Sequence, residues 1–383
     1  LSPASRTGIA LRLSLFYFAV FLFVGVGLPF WPAWLASRGL GPAEIGLLLS
    51  LNAWVKLVGN PLIAHFADRS GEARRPLILV TVGSLLAFAL FAVVDGFWAF
   101  LLVTILSGLC LSALTPLGDS LTMRLAASEG LDYGRIRLWG SLSFILAGAG
   151  AGWLLAGRST ELILLLILIA LVLTLAACVL LPEQRGAVAH GGLAGWRSLF
   201  GDRRFLWFLA AAGLIQASHA VLYGFSTLHW LAAGHDKDTI GALWAIGVVA
   251  EVLLFAAGGR IIALLGPIGL LLVGGLAGVL RWTLAAWFTT LPVLVIVQLL
   301  HGLTFGGTHL AAMYFLVRQV PPGLAATAQG LYGAIAWGAV FGLAMLAAGA
   351  LYAAVGGGAF FAMAAMSLVG STAAIFLMPG DRR

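Results

Sequence analysis

The stretch AIGVVAEVLLFAAGG, residues 245–259, carries a single glutamate, Glu251, in an otherwise uncharged run. An ionised carboxylate in such a run must be paired, protonated or wetted. Which of these applies depends on the solvent that surrounds the fold. The chain has 383 residues, of which 62% are hydrophobic and 9% charged. Its mean hydropathy is +1.07. A soluble protein is about 25% charged. So few charges cannot cover a water-facing surface, so the outer solvent is lipid and the chain is an integral membrane protein.

Apolar runs long enough to cross a bilayer as helix recur along the whole length. Twelve spans are expected, at 10–36, 43–66, 76–94, 97–123, 137–157, 161–181, 205–233, 239–263, 267–288, 291–317, 323–351 and 355–378. Strand alternation is absent, which argues against a membrane β-barrel. The first span starts too early and runs too long for a cleaved signal peptide. Most arginines, from Arg6 and Arg12 through Arg69, Arg124 and Arg260 to Arg383, fall at the two ends or in the loops joining even to odd spans. The opposite loops hold only Arg38, Arg158 and Lys237. The positive-inside rule then places both termini in the cytoplasm. The net charge of +7 reflects this topology. The basic residues form no stripe, so nucleic acid is not an expected partner. Cys110 and Cys178 lie within spans and imply no disulfide framework.

The longest polar gap, PEQRGAVAHGGLAGWRSLFGDRR at 182–204, divides the chain into an N-terminal six-helix bundle, 1–181, and a C-terminal one, 205–383. Within the gap, GGLAGWRSLF has the composition of a short interfacial helix. The expected fold is all-α, with twelve transmembrane helices in two pseudo-symmetric six-helix bundles. The 50 glycines are abundant inside the spans, where small residues let helix backbones approach closely. Parallel six-helix repeats with a site at mid-membrane are a transporter architecture.

The segment FADRSGEARRPL, residues 66–77, resembles the loop signature of the major facilitator superfamily. Asp68, Arg69, Gly71, Arg74 and Arg75 match it, while Ala64 stands where a glycine is usual. The segments LDYGRIRLWGSLSF (131–144), LWAIGVVAEVLLFA (243–256), and LRWTLAAW followed by VQLLHGLTFGGTHLAAMYF, resemble the phenylpropionate permease branch. That branch is near to lactose permease and the nucleoside–proton symporters. The resemblance implies a monomeric transporter, without cofactor or metal, whose partners are a small substrate, protons and lipid. It also implies that Asp68 and Arg69 gate the cytoplasmic side.

Ionisable residues inside a membrane usually face the bundle interior and mark function. Here they are Lys56, Asp119, Arg137, Glu251 and Arg281, with His219, His301 and His309. Asp119 and Arg137 are eighteen residues apart across a short loop, hence at similar depth. By resemblance to lactose permease they bind substrate, although a static salt bridge is the plain alternative. Phe144 stands where that permease has a stacking tryptophan. Lys56 shares a helix face with Asn52 and Asn60, at i−4 and i+4, as cavity-lining groups do. Glu251, Arg281 and His301 match substrate and proton residues of lactose permease, but Thr304 replaces its proton-carrying glutamate. Glu251 itself is therefore the candidate carrier, with His301 or His309 as relays. Gln216, His219, Tyr223 and Thr227 form a polar stripe on one helix.

Three cations against two carboxylates in the spans favour an anionic substrate. The expectation is proton-coupled symport of an aromatic carboxylate by alternating access, with a sugar or nucleoside symporter or a drug exporter as alternatives. A channel or sensor is the rival class. No HExxH motif or nucleophile–base pair supports an enzyme.

Overall fold

A computed structural model describes residues 3–70, 74–183, 194–321 and 324–378. Lipid-compatible runs become helices because only a helix satisfies every backbone N–H and C=O internally in hydrocarbon. In chain order they are α1 (Pro3–Ser37), α2 (Pro42–Ser70), α3 (Arg74–Leu90), α4 (Phe97–Glu129), α5 (Tyr133–Leu155) and α6 (Glu161–Leu180). A short helix, Ala194–Gly201, follows in the predicted linker, and Trp196's side chain lies outside the described residues. Then come α7 (Arg203–Ala232), α8 (Lys237–Ala256), α9 (Gly258–Trp287), α10 (Leu291–Gln319), α11 (325–355) and α12 (Ala359–Ile375). Strands are absent among the described residues, and the twelve helices agree with the predicted number.

The boundary between the eighth and ninth spans differs most from the sequence reading. Hydropathy carries the eighth span to 263, but α8 stops at Ala256. Residues from Gly258 form a separate helical leg that ends at Gly266, whose φ of 62° and ψ of 173° lie outside the helical region. Glycine tolerates that conformation and Pro267 lacks the amide that would continue the ladder, so GPIG breaks the helix.

The chain forms two compact units. One holds 1–44, 54–189 and 235–245; the other holds 45–53, 190–234 and 246–383. These limits cross the sequence division twice, and glycine contacts account for both crossings. In the first unit, the Gly241 backbone at the start of α8 lies against Gly148 and Gly152 of α5. In the second, Gly46 lies against Gly349 of α11, where an added Cβ would sit 2.6 Å from the Gly349 Cα.

In the first unit α1 packs along α5 and α6, and α3 packs on α4 and α6. Phe16, Tyr17, Val20, Leu77, Leu121, Ile136 and Cys178 are buried together there. Gly25 permits the α1–α5 approach, because its Cβ would lie 2.7 Å from that of Ala147. A second aromatic core stacks Trp31 on Trp34 at 4.6 Å, beside Phe88, Phe91 and Phe100. In the second unit α9 packs along α12, and Phe208 stacks on Phe315 at 4.4 Å. Large apolar side chains such as Leu102, Leu142, Leu253 and Leu276 remain exposed, the pattern of a surface solvated by lipid.

Candidate functional site

Asp119 and Arg137 come together in the first unit, though not as an ion pair. Asp132 caps α5, its carboxylate accepting from the Arg135 amide at 3.1 Å. That start places Tyr133 and Arg137 one turn apart on the same face. On α4, Gly118 leaves space for the Phe16 ring and so brings the adjacent Tyr17 close. Asp119 Oδ1 accepts from the Tyr17 hydroxyl at 2.6 Å and from the Tyr133 hydroxyl at 3.2 Å. The Arg137 guanidinium lies over Phe21 at 4.1 Å and over Tyr17 at 5.2 Å. No ion pair joins Asp119 to Arg137 among the described residues. Tyr17 bridges them instead, as hydroxyl donor to one and ring to the other.

Phe144 is buried, only 6% exposed, with its backbone against Gly25. The rings that meet Arg137 are those of Tyr17 and Phe21. On α2, Lys56 is exposed while Asn52 and Asn60 are half-buried. The Asn60 Oδ1 is buried and unpartnered among the described residues. Asp68 and Arg69 lie on the same helix, and their side chains are outside the described residues.

The other predicted cluster assembles inside the second unit. On α10 the helix widens to π geometry over Gly302–Gly307, an inserted-residue device that re-aims side chains. Two of its glycines admit α8: a Cβ at Gly302 would lie 2.8 Å from the Ala250 carbonyl, and one at Gly306 3.1 Å from Glu251 Cγ. Glu251 is thereby held near His301, with Nε2 and Oε2 3.8 Å apart.

Arg281, fully buried, is the hub. Its Nε donates to the Val297 carbonyl at 2.7 Å, and Nη2 to Gln298 Oε1 at 3.1 Å. Nη1 reaches His301 Nδ1 at 3.1 Å and Thr304 Oγ1 at 2.8 Å. The guanidinium also lies 4.4 Å from the Trp282 ring centroid. Thr304 in turn meets His219 Nε2 at 3.1 Å, and His219 Nδ1 meets the Gln216 carbonyl at 3.0 Å. A satellite links Trp282 Nε1 to Ser218 Oγ, which also receives the Ser367 hydroxyl, both at 2.9 Å. His309 packs against Phe255, one turn beyond Glu251 on α8.

The structure thus brings Arg281, His301 and Glu251 together, the three that the resemblance to lactose permease singles out among the ionisable residues of the spans. Tyr17, Phe21, Tyr133, Gln298 and Ser367 escape a sequence reading. Tyrosine and glutamine are common polar residues in packed spans, and only tertiary contact distinguishes these. The polar stripe on α7 is the visible signal for Gln216 and His219.

The model of the MFS_1-like family matches residues 10–363. The chain is 37% identical over 347 residues to the "Probable 3-phenylpropionic acid transporter" of Escherichia coli (strain K12), covering 88% of this chain and 89% of that protein. It is 28% identical over 323 residues to the maltose permease of Geobacillus stearothermophilus, covering 84% of this chain and 82% of that protein. The nucleoside transporter NupG shares the fold with a TM-score of 0.83 and 19% identity, over 96% of this chain and 98% of that chain. Twelve helices, buried intramembrane charge and a family match along nearly the whole length converge: the chain belongs to the MFS_1-like family and is a secondary transporter of the major facilitator superfamily, not an enzyme.

Proposed function

We propose that the protein is a proton-coupled symporter of a small organic anion, an aromatic carboxylate such as a phenylpropionate-like acid. The single observation that carries this reading is the dress of Arg137. Its guanidinium is stacked on Phe21 and Tyr17, while its natural partner Asp119 is taken up by two tyrosine hydroxyls. A planar guanidinium with no hydrogen-bond acceptor among the described residues and rings on its face suits a carboxylate joined to an aromatic group. Arg281 supports the same sign, since all its hydrogen-bond acceptors are neutral. The similarity to the "Probable 3-phenylpropionic acid transporter", at 37% identity, supports this class of substrate.

Each proton crosses on Glu251, and Lys56 with Asn52 and Asn60 adds to substrate binding. Transport proceeds by alternating access of the two six-helix halves, gated by Asp68 and Arg69. The protein acts as a monomer in the bacterial inner membrane, with both termini cytoplasmic. Sugar symport is the second reading, favoured by the 28% identity to a maltose permease. The test is uptake of radiolabelled 3-phenylpropionate into proteoliposomes under an inward pH gradient. Accumulation is expected, with collapse on adding a protonophore and loss in Glu251→Gln. Competition by maltose, or unchanged uptake in Glu251→Gln, overturns the substrate or the proton assignment respectively.

A further inference from the structure

The hydrogen bonds around Arg281 fix where protons sit, because some of these groups can only donate and others only accept. A guanidinium has no acceptor. His301 Nδ1, 3.1 Å from Arg281 Nη1, must therefore be the bare nitrogen. The proton of a neutral His301 ring is then on Nε2, the nitrogen that faces Glu251 Oε2 at 3.8 Å. A backbone carbonyl has no donor. His219 Nδ1, 3.0 Å from the Gln216 carbonyl, must therefore carry its proton, which leaves Nε2 bare. Thr304 donates its one hydrogen to that nitrogen and accepts from Arg281 Nη1 through its lone pairs. The two histidines are thus opposite tautomers, and the chain Arg281→Thr304→His219→Gln216 runs one way only.

A second proton on either ring would break this order. On His301 it would point a new N–H at the Arg281 guanidinium. On His219 it would turn Nε2 into a donor toward an oxygen that already accepts from Arg281, and strand the threonine hydrogen. Either change would also bury a further cation beside a fully buried arginine. The ionisable groups facing the network are His219 and Tyr223 from α7, Glu251 from α8 and His301 from α10, around Arg281 on α9. The neighbouring part of α11 presents Trp337 and Phe341, which do not titrate, and Tyr332, which lies beside the Gln216 side chain and outside the hydrogen-bond chain. Glu251, unlike either histidine, can gain and lose a proton without reversing a hydrogen bond of the chain.

We propose that Arg281 locks His301 as a neutral imidazole with its proton on Nε2, that Thr304 and His219 are the positioning residues that hold Arg281, and that the exchanged proton resides on Glu251 and on neither histidine. The last clause rests on the proton-coupled reading above; the tautomer assignment does not. In the step itself one O–H bond forms on the Glu251 carboxylate with a proton from water on one side, and the same bond breaks to water on the other. No other group changes its protons.

The experiment is nitrogen NMR of the full chain labelled with 15N-histidine, with His219 and His301 assigned from the signals lost in His219→Gln and His301→Gln. Between about pH 6 and pH 8, where a free imidazole titrates, both rings are expected to stay neutral and to show opposite single tautomers. A doubly protonated ring, or the reverse tautomers, overturns the proposal. Thr304→Val cuts the chain at its middle and is expected to give His301 a mixture of tautomers. An unchanged single tautomer removes Thr304 and His219 from their positioning role.

Transport supplies the second arm. In His301→Gln the amide oxygen can accept from Arg281 while its NH2 donates toward Glu251. Gradient-driven 3-phenylpropionate uptake is expected to stay within about threefold of the parent, whereas His301→Leu loses at least about tenfold, the scale of one lost charge-assisted hydrogen bond. A folded His301→Gln as inactive as His301→Leu assigns the proton to His301 and overturns the proposal. If the parent protein accumulates no 3-phenylpropionate, the functional reading fails by itself, and the NMR result still decides the tautomers.

Discussion

Arg137 shows why guanidinium and ammonium are not interchangeable in this fold. Its contacts with Phe21 and Tyr17 use a flat, delocalised cation, which a lysine cannot present. A cation–π contact of this kind is worth about 1–2 kcal/mol when desolvated. Arg137→Lys is therefore expected to raise the KM for 3-phenylpropionate uptake by about tenfold while the protein remains folded. Equal KM values in the parent and Arg137→Lys would show that the ring-stacked guanidinium does not bind substrate. The pairing of Asp119 with Arg137 was legible in part: their spacing put them on neighbouring helices, and the structure does bring them to one tyrosine. The tyrosines were not legible, because Tyr17 lies more than a hundred residues from Asp119 and only the α1–α4 packing joins them. The same holds for Arg281, whose partners on α10 were visible as His301 and Thr304. Their hydrogen-bond directions depend on a π segment that no local pattern announces.

Glycine placement governs how closely these helices pack. Three glycines of α9 form a seam: Gly274 meets Thr308, Gly275 meets Ser371, and Gly278 meets Ser367. A Cβ at Gly275 would lie 2.7 Å from the Ser371 Cβ and 3.1 Å from the Ser367 carbonyl, so backbone must move to admit it. Overpacking of this kind costs about 1–3 kcal/mol. Gly259, on the first leg of the same helix, has nothing within 4 Å of an added Cβ. There alanine gains about 1 kcal/mol of helix propensity. Gly275→Ala is thus expected to lower the thermal unfolding midpoint in detergent, and Gly259→Ala to hold or raise it. Equal midpoints for the two would show that the seam is not tightly closed. The sequence revealed that glycines crowd the spans, and hence that helices approach closely. Which glycines touch which neighbours required the crossing geometry, and the break at Gly266 shows the limit of hydropathy windows: apolar residues on both sides hid a non-helical backbone.

Across the chain, hydropathy and charge legibly set the helix number, because lipid imposes the same length and backbone constraint on every span. The contact-defined units were less legible, since Gly46 and Gly241 tie short parts of α2 and α8 to units that the linker position alone would not assign. The proposed orientation rests on the basic loops, and the contacts of the few cations on the sparse side bear on that asymmetry. Arg38, one of the few cations on the sparse side, lies 3.8 Å from Asp95 and 3.7 Å from Glu161, and donates to the Phe91 carbonyl at 3.4 Å. Lys237 donates to the Arg158 carbonyl at 2.9 Å. The α4–α5 turn, by contrast, is flanked by Arg124 and Arg135. In the proposed orientation the α4–α5 turn is expected to face the cytoplasm and the α5–α6 turn to face outward. Ser128 and Ser159 are exposed at these two turns and suit cysteine scanning. With Cys110 and Cys178 replaced by alanine, a membrane-impermeant maleimide on intact cells is expected to label Ser159→Cys and not Ser128→Cys. Opening the cells should make Ser128→Cys reactive, and labelling of Ser128→Cys from outside would reverse the orientation and place both termini beyond the cytoplasm.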